Sequence, residues 1–212
     1  MMRVTPVVKN LIIINVIVFV AWLVSEGFGD SGFQFMAENF WLFKSDLIFD
    51  RGGMDVYFRP VQLITYFFSH NEIWHIAFNM LALASLGPAI ESAIGSKRFF
   101  TFYMFTGLVS AVLIWLFDPS NGPVLGASGA ITGILAAFAY MYPRAPLSIF
   151  FLPPIEAKKL AIGVAVISAG FILFQLRGIT DGGGISHFGH LMGMVAAVIY
   201  FYAEKYLPFL PK

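Results

Sequence analysis

Gly126-Ala127-Ser128-Gly129 opens an apolar segment that continues as Ala130-Ile131-Thr132-Gly133-Ile134-Leu135-Ala136-Ala137-Phe138-Ala139. Small residues on both sides of a serine let a backbone or another chain approach its hydroxyl closely. The other concentrated polar groups are four histidines, His70, His75, His187 and His190. A hydroxyl and an imidazole are the minimum equipment for nucleophilic acyl transfer. Both lie near the ends of segments apolar enough to span lipid, so any such chemistry is expected inside the bilayer.

Composition carries the membrane assignment. Of 212 residues, 58% are hydrophobic and 12% charged, and the mean hydropathy is +0.80. Soluble domains carry roughly twice that charged fraction. The net charge of +1 gives no reason to expect nucleic acid. Without cysteine, thiol nucleophiles, disulfides and thiolate metal sites are excluded, and the redox compartment is left open. The first apolar run, Val7 to Val24, is long for a signal-peptide core and has no small-x-small cleavage signal after it. It reads as a retained helix.

A membrane-spanning helix needs about 20 mostly apolar residues. Six stretches qualify, at about 7–26, 72–92, 98–117, 125–142, 158–176 and 187–206. Without an internal repeat or a linker, residues 1–212 read as one domain. Placing the N-terminus in the cytoplasm puts nine lysines and arginines on inner segments (Arg3, Lys9, Lys97, Arg98, Arg144, Lys158, Lys159, Lys205, Lys212). Four then lie outside: Lys44, Arg51, Arg59 and Arg177. The positive-inside rule therefore predicts cytoplasmic N- and C-termini. Between the first two spans, residues 28–69 form a long loop rich in aromatics, expected to fold into short helices at the outer leaflet. Residues 143–154, with four prolines, are expected to rest on the inner surface.

Polar residues recur at helical spacing. His75 and Asn79 are four apart and share one face of the second span, about 6 Å apart along the axis. Polar groups at such depth face a partner helix or a water-filled cavity. Gly129 and Gly133 follow Ser128 at the spacing that lets helices approach, and Gly193 lies one turn inward of His190. A close contact between those glycines would put His190 beside Ser128. The plainer reading is also open: serine and small residues commonly serve helix packing alone, and His75 and Asn79 could simply bond neighbouring helices.

Together these motifs resemble the rhomboid intramembrane serine proteases. The match comprises G-x-S-G at Gly126 to Gly129, H-x4-H-x3-N at His70, His75 and Asn79, and H-x2-G at His190 and Gly193. It extends to G-x3-E-x3-G at Gly87, Glu91 and Gly95, and to Arg59 in the first outer loop. The resemblance covers essentially the whole chain. It implies an all-α, six-helix membrane bundle and a serine endopeptidase with a Ser128–His190 dyad and no acidic third member. The oxyanion would be held by the Ser128 N–H, His75 and Asn79. His70, Glu91, Arg59, Gly126, Gly129 and Gly193 would be structural supports. It also implies single-span membrane proteins as substrates, cut near the outer face. The chain departs from the family in having Phe58-Arg59 for the usual Trp-Arg and Ala197 for a second glycine.

No cofactor or metal is expected. His187 and His190 could share an ion, but no H-E-x-x-H signature or carboxylate stands at ligand spacing. Asp181 reads as a solvated loop residue, and residues 177–186, rich in glycine, read as a mobile gate. The rival function is a non-proteolytic protein that binds or escorts transmembrane clients; retention of both Ser128 and His190 favours the enzyme. A transporter is disfavoured by scarce intramembrane charge. The absence of a transit peptide and the minimal core lead us to expect a bacterial cytoplasmic membrane.

Overall fold

The computed structural model describes residues 4–44, 49–50, 55–120, 122–148, 153–179 and 185–206. Asp181 and Gly182 to Gly184, expected in the outer gate, lie outside these residues, as do Arg51 and residues 149–152 of the inner loop. The chain runs α1 (Pro6–Glu26), α2 (Gly29–Phe40), β1 (Phe49–Asp50), β2 (Asp55–Val56), α3 (Gln62–Thr65) and a 3-10 turn over Tyr66–Phe68. It continues with α4 (Ile73–Ile94), α5 (Ser96–Phe117), α6 (Ser128–Met141), β3 (Pro146–Leu147), β4 (Ile155–Glu156), α7 (Ala157–Gln175) and α8 (His187–Tyr206).

All six expected apolar stretches are helices, with boundaries shifted by a few residues. Four of them, α1, α4, α5 and α7, are long and apolar enough to cross a membrane by length and composition. The stretches expected at 125–142 and 187–206 are helical but fall in the shorter apolar class, as Ser128–Met141 and His187–Ala203. Helix α6 starts at Ser128 rather than 125 because Gly126 holds φ at +118°, which no helix accommodates. The fold is also not purely helical. β1 pairs antiparallel with β2, Phe49 opposite Val56, and β3 with β4, Leu147 opposite Ile155. The second pairing places Pro146–Leu147, in the proline-rich stretch before α7, opposite Ile155–Glu156.

Helix α6 is the hub. Gly129 to Leu135 and Ala137 to Ala139 are all buried, and small side chains bring α4, α5, α7 and α8 against it. Helix α8 packs most extensively on α6 and α5. A Cβ on Gly193 would collide with the carbonyl oxygen of Gly129, and one on Gly133 would sit 3.0 Å from the Gly193 carbonyl oxygen. Only glycine allows so close a crossing. Helix α7 is peripheral: Ala157, Ala161 and Ser168 are its buried residues, while Ile162, Val166, Ile167, Leu173 and Phe174 face outward. With α1 presenting Ile13, Val16, Ile17, Val20 and Val24 in the same way, the outer surface suits lipid and not water. The chain is an integral, multi-pass membrane protein.

The first connection is built on polar anchors. Helix α2 lies against α1, with Trp41 packed on Trp22 and Phe33 at centroid separations of 5.4 and 5.1 Å. Fully buried Gln62 donates to the carbonyls of Glu38 (2.9 Å) and Tyr57 (3.2 Å) and accepts from the Arg59 N–H (3.1 Å). One amide thus satisfies backbone groups from both halves of the loop, which a buried loop requires.

Candidate active site

Three elements meet at the N-terminal end of α6. Just before it, Leu42 and Val124 exchange backbone hydrogen bonds of 2.8 and 2.9 Å, tying the connection between α1 and α4 to the approach to Ser128. The Gly126 N–H donates to the Tyr66 carbonyl at 2.9 Å, and the Ala127 N–H to His70 Nε2 at 3.4 Å. These contacts hold a tight turn, after which Ser128 is the first helical residue. Its backbone N–H therefore has no acceptor within the helix.

Helix α4 supplies His75 and Asn79. The Asn79 amide donates one hydrogen to the His75 carbonyl at 2.9 Å; its second hydrogen stays available. The imidazole of His75 lies edge-on to that of His70, 4.8 Å between centroids. Gly126 occupies the space beside it: a Cβ there would lie 2.5 Å from His75 Nε2.

Helix α8 supplies His190 in its first turn. Its carbonyl accepts the Thr132 hydroxyl at 2.8 Å, and its N–H donates to the Ser186 carbonyl at 3.1 Å. The same hydroxyl proton is shared with the Gly129 carbonyl at 2.9 Å, so one hydroxyl bridges α6 and α8 one turn below Ser128. Beside it, His187 stacks flat on Phe171 at 4.2 Å and meets His190 edge-on at 6.0 Å.

Ser128, His190, His75 and Asn79 all line one cavity of about 520 Å³. Its walls are largely aromatic and apolar, with Trp41, Trp74, Phe78 and Leu125 among them, and Asn71 and Glu72 also line it. Asn79 is buried; Ser128, His75 and His190 are half-buried. A hydroxyl, two imidazoles and an amide around one recess can support acyl transfer without an added group.

The remaining residues singled out in the sequence lie elsewhere. His70 is fully buried behind the turn, holding Ala127. Burial pushes its imidazole down to about 3, helped by the neighbouring His75 and opposed by the Phe68 carbonyl. Arg59 pairs with Glu38 at 2.7 Å on the partly exposed first connection, an arrangement of modest energetic value. Glu91, near the other end of α4, accepts from Thr5 Oγ1, the Val7 and Val8 N–H groups (3.1 and 3.0 Å) and Ser96 Oγ (2.6 Å). It caps the N-terminal end of α1.

Comparison with known proteins fits this arrangement. Residues 57–206 match the Rhomboid domain. The chain belongs to the rhomboid family. It is 33% identical over 147 residues to Rhomboid protein 1, mitochondrial, of Saccharomyces cerevisiae, covering 66% of this chain and 40% of that protein. It is 31% identical over 211 residues to RHOMBOID-like protein 12, mitochondrial, of Arabidopsis thaliana, covering 91% of this chain and 56% of the relative. With the human Presenilin-associated rhomboid-like protein, mitochondrial, identity is 35% over 120 residues, 54% of this chain and 31% of the relative. This rhomboid chain thus spans about half or less of each of these relatives. All three carry a mitochondrial designation, where the sequence alone leads to a bacterial cytoplasmic membrane.

Sequence reasoning misses Gln62, Thr132 and Ser110 as parts of this rhomboid framework. Ser110 on α5 donates to the Gly189 carbonyl at 3.0 Å, one residue before His190. In sequence these are ordinary polar residues of a loop and two helices; only the long-range fold gives them partners.

Proposed function

We propose that this chain is an intramembrane serine endopeptidase, with Ser128 as nucleophile and His190 as general base. The observation carrying the proposal is that residues from α6, α8 and α4 open on one recess. Ser128 Oγ would attack the scissile carbonyl while His190 accepts its proton. Negative charge on the carbonyl oxygen would be met by the Ser128 N–H, His75 and the unused hydrogen of Asn79. The imidazolium would then protonate the leaving amine, and water would hydrolyse the acyl-enzyme with His190 again as base. No cofactor enters this scheme.

The proposed setting is one domain over residues 1–212, with six spanning helices and both termini on the lysine- and arginine-rich side. Helix α6 has 14 residues, about 21 Å against a hydrocarbon core of about 30 Å. Ser128 would accordingly sit below the outer surface, reachable by a transmembrane substrate. Such a substrate must unwind to present an extended segment, which favours small and helix-weakening residues at the cut. Arg177 to Ser186 would form the gate, and Arg59 would hold the first connection in place. For the compartment we keep the bacterial cytoplasmic membrane, against the mitochondrial designation of the relatives; fractionation of the native cells decides between them.

Fluorophosphonate labelling of the detergent-purified protein tests the dyad. Wild type should label, and Ser128→Ala and His190→Ala should not. A folded wild type that takes no label favours the client-binding alternative.

A further inference from the structure

Outside the recess, Asp118 at the C-terminal cap of α5 is 2% exposed. Both of its oxygens are engaged: Oδ1 accepts the Ser120 N–H at 2.8 Å, and Oδ2 accepts the Ser186 hydroxyl at 3.1 Å. Ser186 Oγ in turn accepts the Gly189 N–H at 3.0 Å, while the Ser186 carbonyl accepts the N–H of His190 at 3.1 Å. Ser186 is therefore an N-cap whose own hydroxyl proton has a charged acceptor, a stronger arrangement than a neutral cap.

The same face of α5 holds Gly189, the residue before His190, at two further levels. Ser110 donates to the Gly189 carbonyl at 3.0 Å, and a Cβ on Gly189 would sit 2.9 Å from Ile114 Cδ1. Ser110, Ile114 and Asp118 lie at i, i+4 and i+8, one stripe of α5. Their target is the turn of α8 immediately before His190. From the opposite side, Thr132 holds the His190 carbonyl. The backbone carrying the imidazole is thus fixed from two helices.

We propose that Asp118 is a positioning residue for His190, acting through Ser186 to set the first turn of α8. This rests on the dyad reading of Ser128 and His190. A base displaced by about 1 Å can lose a hundred-fold in rate, so Asp118, outside the recess, would govern turnover through Ser186, which lines it. The buried carboxylate is explained as the fixed acceptor that orients the Ser186 hydroxyl, leaving its lone pairs for Gly189.

The test uses the full chain in detergent with a transmembrane-segment reporter substrate and Asp118→Ala, Ser186→Ala, Ser186→Thr and the Asp118→Ala/Ser186→Ala double variant. The expected result is a kcat lower by about ten- to hundred-fold in each alanine variant, with KM nearly unchanged. Ser186→Thr, which keeps the hydroxyl, should restore kcat. The double variant should lose no more than either single one, because both break one chain of contacts. Amide exchange across residues 186–190, which needs no activity, should quicken in both alanine variants. Wild-type kcat and wild-type exchange in Ser186→Ala would overturn the proposal, even were Asp118→Ala misfolded. Should wild type turn over no substrate and behave like Ser128→Ala, the dyad reading fails; exchange alone then decides whether the clasp orders this turn.

Discussion

Gly126 and the His75 imidazole occupy adjoining space, such that a methyl group at position 126 would lie 2.5 Å from His75 Nε2. Gly126 also holds φ at +118°, a conformation costing an L-residue about 1–3 kcal/mol. Gly126→Ala therefore strains the turn and drives His75 out of the recess. If His75 donates to the oxyanion, turnover should fall about 10²- to 10³-fold, with a smaller loss of thermal stability. Comparing kcat with the thermal midpoint in detergent checks this. Wild-type turnover in the variant would remove His75 from the oxyanion role.

Asn79 gives the complementary test on the next turn of α4. Its only described hydrogen bond is local, to the His75 carbonyl, which an α-helix retains without it. Asn79→Ala should lower kcat by about 10²- to 10³-fold while moving the thermal midpoint little. Steady-state cleavage and thermal unfolding in detergent measure the two sides. A well-folded Asn79→Ala that cleaves at the wild-type rate would leave Asn79 as a packing residue.

The bundle was legible in the sequence because lipid imposes long apolar runs, and six of these became helices. His75 and Asn79, or Gly129 and Gly133, could be placed on common faces by helical spacing alone. That Ser128 stands at the opening of α6 was legible; that the helix starts there and not at 125 follows from the φ of Gly126. The short helices of the first connection were expected, and α2 and α3 lie there; what orders them could not be read. Their order comes from Gln62, a polar residue without periodic context, buried among carbonyls of Glu38 and Tyr57. The pairing of Asp118 with Ser186 spans 68 residues and two polar loops. Polar loop residues carry no hydrophobic pattern that would reveal such a partner.

Glu91 separates stability from chemistry. It lies 16 residues after His75 on α4, about 24 Å along the helix, and its carboxylate satisfies Thr5, Val7, Val8 and Ser96 together. A buried donor deprived of its acceptor costs about 1–3 kcal/mol. Glu91→Ala should therefore lower the thermal midpoint strongly, and Glu91→Gln, which keeps one acceptor oxygen, less so. Below the transition, the rate of serine labelling should match wild type. A labelling rate that fell in step with stability would instead show that α1 docking is coupled to the recess.

His70 makes the stability of this fold depend on pH with a definite sign. Its Nε2 accepts the Ala127 N–H, which requires that nitrogen to be unprotonated. Burial, with His75 nearby, holds the folded imidazole down at about 3, against about 6.5 in an unfolded chain. Between those two values the unfolded state binds the extra proton, so stability rises with pH throughout that window. The contribution is complete above the unfolded value and is lost as pH falls towards the folded one. Thermal midpoints from pH 7.5 down to 4.5 should therefore decline. His70→Asn keeps a carbonyl oxygen able to accept from Ala127 but does not titrate, so its decline should be shallower by the His70 share. Parallel curves for wild type and His70→Asn would show that His70 does not remain neutral in the fold, and that the turn before Ser128 is held by Tyr66 and the Leu42–Val124 pairing without it.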